Sequence, residues 1–143
     1  MIHLTIAERL MTDMDRHAVA AYPEECCGVL VGRRAMSGAG ERATVSLVIR
    51  ARNIHDGSRF RRFTIAPEDL LRAHKRARQR GQEVVGYYHS HPDRAAVPSD
   101  HDRSAADPGV SHLILAVRRD RVVARRSWHL PVDGSHFEEE RLV

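Results

Sequence analysis

The chain has 143 residues, of which 42% are hydrophobic and 29% charged, a composition that excludes a disordered or fibrous protein. The formal charge is +4, carried almost wholly by arginine because Lys75 is the sole lysine, and aromatics are only 5%. Basic residues dispersed along the chain, with few rings to stack on bases, argue against nucleic-acid binding and for a solvated basic surface that suits an acidic protein partner. The length fits one domain, 1–143. No apolar run approaches the roughly 20 residues that span a bilayer. Residues 1–10 include Glu8 and Arg9 and no apolar signal region, so a cytoplasmic, membrane-free protein is expected.

A short strand is expected over 2–5. Residues 7–22 carry Leu10, Met14, His17, Ala18 and Ala21 at helical spacing before Pro23. The apolar run 27–31 reads as a buried strand, 35–40 as a small-residue loop and the β-branched 43–49 as a strand. Asp56-Gly57 marks a turn, and 60–65 reads as a further strand. Pro67 suits the first position of a helix, with Glu68 and Asp69 in its first turn and Leu70, Leu71, His74 and Ala77 continuing it to Gly81. Residues 83–89 read as a strand and 91–98 as a loop with two prolines. Ser99 then caps a short helix with Asp102 at the capping-box spacing. Strands over 112–117 and 122–129 follow, and Glu138 to Glu140 reads as a solvated tail. Strands alternating with two or three helices argue for an α/β or α+β layered fold.

Cys26 and Cys27 are neighbours, so they cannot staple distant loops or form a four-cysteine zinc site. Ten histidines direct the search to metal chemistry. His89 and His91 are two apart, so on a strand they face one side, and Pro92 places the pair at the strand end. A loop through Pro98 and one helical turn from Ser99 can return the Asp102 carboxylate to them. Two histidines, one carboxylate and an open position holding water form a common catalytic zinc arrangement; the same set also suits non-haem iron. The proton acceptor such a site needs lies in Pro23-Glu24-Glu25-Cys26-Cys27-Gly28, where composition does not choose between Glu24 and Glu25.

These residues carry a resemblance. The sequence resembles the JAMM (MPN-plus) zinc metalloproteases, whose signature is a glutamate, then His-Ser/Thr-His-Pro, then Ser-x-x-Asp beginning after seven residues from the second histidine. His89-Ser90-His91-Pro92, Ser99 and Asp102 match it without a gap. Pro23, Glu25, Cys27 and Gly28 match the family's Pro-x-Glu-x-Cys-Gly, which selects Glu25, and the likeness extends to about Trp128. It implies a cytidine-deaminase-like α/β (α+β) fold, a mixed β-sheet flanked by helices. It implies Zn²⁺ held by His89, His91 and Asp102, Glu25 as general base and then proton donor, and Ser99 as oxyanion donor. Compact prokaryotic members hydrolyse the bond after the C-terminal Gly-Gly of a ubiquitin-like or sulfur carrier protein, releasing either carrier-bound cysteine or a modifier on lysine. The Pro-x-Glu-x-Cys-Gly context favours the sulfur-carrier substrate.

The alternative is a non-catalytic MPN-type scaffold, against which stands the full ligand set. His101 reads as an exposed helix residue, Ser90 as local support, Asn53 as a turn residue, Cys27 as a small core residue and Trp128 as core. A cytidine deaminase or a His-Glu-x-x-His protease is excluded because their motifs are absent.

Overall fold

The computed structural model describes residues 2–37 and 40–143. In chain order the elements are β1 (His3–Ile6), α1 (Glu8–Ala21), β2 (Cys27–Ser37), β3 (Gly40–Ala51), α2 (Pro67–Gln79), β4 (Glu83–Pro92), α3 (Asp100–Ala105), β5 (Ser111–Arg118), β6 (Arg121–His129) and β7 (Glu138–Leu142). The fold is α+β, as expected. The sheet runs β1-β3-β2-β4-β5-β6-β7 and closes on itself, because β1 pairs in parallel with both β3 and β7. Closure is partial: β7 covers only Ser127–His129 of β6, and β1 only Arg42–Val45 of β3. Among the described residues no helix is long and apolar enough to cross a membrane.

Alternation along the strands sorts side chains into two cores. Leu30, Val45, Leu113, Leu115 and Val117 face α1, packing on Leu10, Met14 and Ala18. Val29, Val31 and Ile49 face the other way, onto Ala73 and Ala77 of α2. The buried face of α2 is Asp69, Ala73 and Ala77, whereas Leu71 and His74 of the expected apolar stripe are exposed. Small residues let α2 lie close to the sheet. Asp69 is tolerated there because it accepts the Arg52 amide at 2.8 Å and two arginine side chains.

One irregularity sets the phase of β4. Leu30 pairs with Gly86 but Val31 with Val84, so Val85 is an extra residue, a β-bulge. Val85 and Tyr88 point toward α1, while Val84 and Tyr87 lie on the α2 side. His89 and His91 continue the alternation from Tyr87, so both histidines share the α2 side.

Three sequence expectations need correction. The loop over 35–40 is instead strand: Ala35 pairs with Arg42 and Met36 with Glu41, and the remaining positions 38 and 39 lie outside the described residues. Residues 60–65 form no strand. A turn occupies 59–61, and a lone bridge joins Ile65 to Asn53, because the Asn53 side chain takes the backbone groups of Arg62 and Thr64 that a neighbouring strand would otherwise pair. Glu138 to Glu140 is not a solvated tail but the start of β7. There Glu140 is buried and accepts Ser127 Oγ at 2.5 Å, while Glu139 pairs outward with Arg126.

Candidate active site

The site forms at the carboxyl end of β4, beside its parallel neighbour β5, where ligands commonly lie in α/β sheets. Ser90, between the two histidines, turns to the opposite face. Its Oγ accepts the Cys26 amide at 2.8 Å and its own amide donates to the Cys26 carbonyl at 3.1 Å. Cys27 pairs with His89, so the antiparallel register puts Glu25 opposite His91 on the same face as both histidines. The Glu25 backbone is held at both ends: its amide donates to Arg59 O at 2.7 Å, and its carbonyl accepts Asn53 Nδ2 at 3.0 Å.

Asp102 arrives by helix-capping chemistry. Ser99 Oγ accepts the Asp102 amide at 3.1 Å, and Asp102 Oδ2 accepts the Ser99 amide at 2.9 Å, a complete capping box. The same Oδ2 lies 3.2 Å from His89 Nε2 and 3.1 Å from His91 Nε2, and the two nitrogens are 3.1 Å apart. The triangle approaches one face of a zinc tetrahedron, whose edges are about 3.3 Å for ligands at about 2.0–2.1 Å. His91 Nδ1 lies 2.9 Å from Ala95 O, which can only accept, so Nδ1 carries a hydrogen and Nε2 is the ring nitrogen turned to Asp102, the orientation of a metal-binding histidine. Two imidazole nitrogens and a carboxylate oxygen gathered this closely in a buried pocket make a donor set that suits a divalent metal ion. Glu25 also comes near: one of its oxygens and the two histidine nitrogens lie within 4.8 Å of one another. Phe63 stacks on His89 at 4.4 Å between centroids and fixes that ring from the side.

Electrostatics separate the two carboxylates. Burial pushes the Glu25 carboxyl up to about 8, against the opposing pull of Arg94. Burial also works against ionised Asp102, but the bonds from His89, His91 and the Ser99 amide outweigh it and hold that carboxyl far below the usual range. Burial lowers His89. Both thiols are raised by burial, Cys26 to about 12, so neither is a ready nucleophile.

The structure brings the five residues singled out from the sequence to one place, four at the convergence of β4 with Glu25 and Asp102 and the fifth, Ser99, at the cap of α3. Glu25, His89, His91 and Asp102 are buried and Ser99 is half-buried. Three contributors escaped sequence reasoning. Asn53 is no mere turn residue, since its amide ties Glu25 O and Arg62 O to the amides of His55 and Thr64. Arg94 Nη2 contacts Glu25 Oε2. Phe63 supplies the stacking face. Of these, Arg94 alone carried a local signal, a charge two residues past the His-Ser-His-Pro run. Cys27 is buried as expected. His101 is half-buried, edge-on to His55 at 5.6 Å.

A cavity of about 310 Å³ opens beside His89 and Asp102, walled by Phe63, Ile65, Leu70 and Phe137. Such an apolar hollow against convergent polar groups is the usual form of a small ligand site.

The fold and the site define a JAB-type domain: the family described as prokaryotic homologs of the JAB domain matches residues 7–131, and the chain belongs to it. A desampylase of Haloferax volcanii is 33% identical over 95 residues, 66% of this chain and 63% of that protein. The aligned part is thus less than two thirds of that relative's length. A probable TtuB-protein conjugate cleaving protease of Thermus thermophilus is 30% identical over 112 residues, 78% of this chain and 69% of that protein. The solution structure of a Desulfitobacterium hafniense protein superposes with a TM-score of 0.80 at 33% identity, covering 98% of this chain and 91% of that one.

Proposed function

We propose that the chain is a zinc-dependent metallopeptidase that hydrolyses the peptide or isopeptide bond after the C-terminal Gly-Gly of a ubiquitin-like or sulfur carrier protein. The observation that carries this reading is the convergence of His89 Nε2, His91 Nε2 and Asp102 Oδ2 within 3.1–3.2 Å of one another, with Glu25 alongside. Asp102 is the third ligand rather than Glu25, because its oxygen is the nearer and the Glu25 carboxylate is taken up by Arg94.

Zinc held by His89, His91 and Asp102 would supply Lewis acidity and would lower the pKa of a water beside it toward neutral. Glu25 takes the proton of the attacking water on Oε1, its oxygen without a hydrogen-bond partner among the described residues, and passes it to the leaving amine. Ser99 Oγ spends a lone pair on the Asp102 amide, which leaves its hydrogen free to donate to the developing oxyanion. The names of two relatives, a desampylase and a conjugate cleaving protease, support removal of a modifier from a protein conjugate over release of carrier-bound cysteine, the substrate the sequence favoured.

Metal content by mass spectrometry tests the site. About one zinc per chain is expected in the wild type and in Glu25→Gln, and a loss in His89→Ala and Asp102→Ala. Cleavage of a Gly-Gly-linked conjugate is expected from the wild type and not from Glu25→Gln. Bound zinc with no cleavage of any such conjugate would favour the scaffold reading.

A further inference from the structure

Glu25 stands at a choice that the three-ligand arrangement leaves open. Its side chain is fully buried, and it reaches to within 4.8 Å of both histidine nitrogens. A carboxylate so placed can close a metal site as a fourth ligand. A closed four-ligand site is structural, whereas a hydrolytic site needs one position open. Among the described residues the Glu25 carboxylate has one polar partner, Arg94, whose Nη2 takes Oε2 and leaves Oε1 free.

Arg94 is itself held in place. The residue before it, Asp93, has a left-handed backbone (φ 56°), donates its amide to Val117 O at 2.8 Å and accepts the Tyr22 hydroxyl at 2.7 Å. The residue after it, Ala95, receives His91 Nδ1 at 2.9 Å. The arginine is thus set between an anchor on the sheet and an anchor on a histidine ring of the site. Its grip on Glu25 runs through the guanidinium tip, since Nε is buried without a partner.

We propose that Arg94 is a positioning residue that holds Glu25 back from the metal, keeping the carboxylate one step outside the coordination sphere and the fourth position open. The proposal rests on the metal reading above and adds a residue to it. Without Arg94, Glu25 swings onto the ion and converts an open site into a closed one.

The sign of the effect is diagnostic. Removing an ordinary supporting partner of a metal site weakens metal binding by about 10–100-fold. Removing Arg94 is expected to strengthen it. Zinc affinity of the full chain is measured by competition with a chromogenic chelator, and coordination is read from the visible absorption of the cobalt(II)-substituted protein, neither of which needs a substrate. Arg94→Met is expected to bind zinc about tenfold or more tightly and to change the cobalt spectrum. Arg94→Lys, which restores a cation, is expected to return toward the wild-type spectrum. In a Glu25→Gln background, Arg94→Met is expected to move neither quantity. A gain that persists in that background is a plain charge effect and overturns the proposal, as does an Arg94→Met protein with unchanged or weakened zinc binding. A wild type that takes up neither zinc nor cobalt overturns the metal reading itself, an outcome separate from failure of the Arg94 assignment.

Discussion

Ser90 and Cys26 exchange two hydrogen bonds, Cys26 N to Ser90 Oγ at 2.8 Å and Ser90 N to Cys26 O at 3.1 Å. Each residue adjoins the chemistry: Cys26 follows Glu25, and Ser90 separates His89 from His91. The pair therefore ties the Glu25 segment to the two histidines from the reverse face of the sheet. Ser90→Ala leaves a buried amide without an acceptor, at a cost of about 1–3 kcal/mol. A lower urea midpoint at unchanged m-value is the expected outcome, with turnover falling more than zinc content.

Asn53 fixes Glu25 from the other side. Asn53→Asp keeps the acceptor for the amides of His55 and Thr64 but sets an oxygen against the carbonyls of Glu25 and Arg62. Misplacing a reacting group by about 1 Å can cost on the order of a hundredfold in rate. The variant is expected to retain zinc and lose kcat; conjugate cleavage at the wild-type kcat would contradict this positioning role.

Ser99 caps a helix, and substitution separates that from the oxyanion role proposed for it. Ser99→Ala removes an N-cap worth about 1 kcal/mol. It also removes a hydroxyl donor, for which a loss on the order of a hundredfold in kcat is expected. Ser99→Thr keeps both groups and is expected to restore most of the rate. Equal rates for the alanine and threonine variants would remove the oxyanion role.

His112 gives the fold an acid-sensitive point. It is buried with Nε2 donating to Asp107 O at 2.9 Å, and burial lowers it to about 4 from 6.5. Between those values the unfolded chain binds the extra proton, so stability rises with pH across this window. The contribution is complete above about 6.5 and is lost as pH falls toward 4, to a limit of roughly 3 kcal/mol. His112→Gln is expected to flatten the slope of stability against pH between 6.5 and 4, measured by urea unfolding at each pH.

The local grammar of the chain already named much of the site. The Ser99–Asp102 capping box, the alternation that puts His89 and His91 on one face and the Pro92 strand end are all decided by neighbours within a few residues. The contacts that Asn53 and Arg94 make were not legible in this way. Their partners, Glu25 in both cases, are separated from them by 28 and 69 residues, and no local pattern encodes such a contact.

The sequence alone determined which side chains are available, which helices cap where, and that strands alternate with helices, because these follow from short-range sterics, hydrogen bonding and periodicity. Tertiary structure decided the rest. The Val85 bulge fixed which face of β4 carries the histidines, and the antiparallel register of β2 on β4 brought Glu25 opposite His91. Pairing with β1 and β6 turned an acidic tail into the strand that closes the sheet. Each is a choice of partner between distant segments, set by burying apolar faces and pairing backbone groups across the whole molecule.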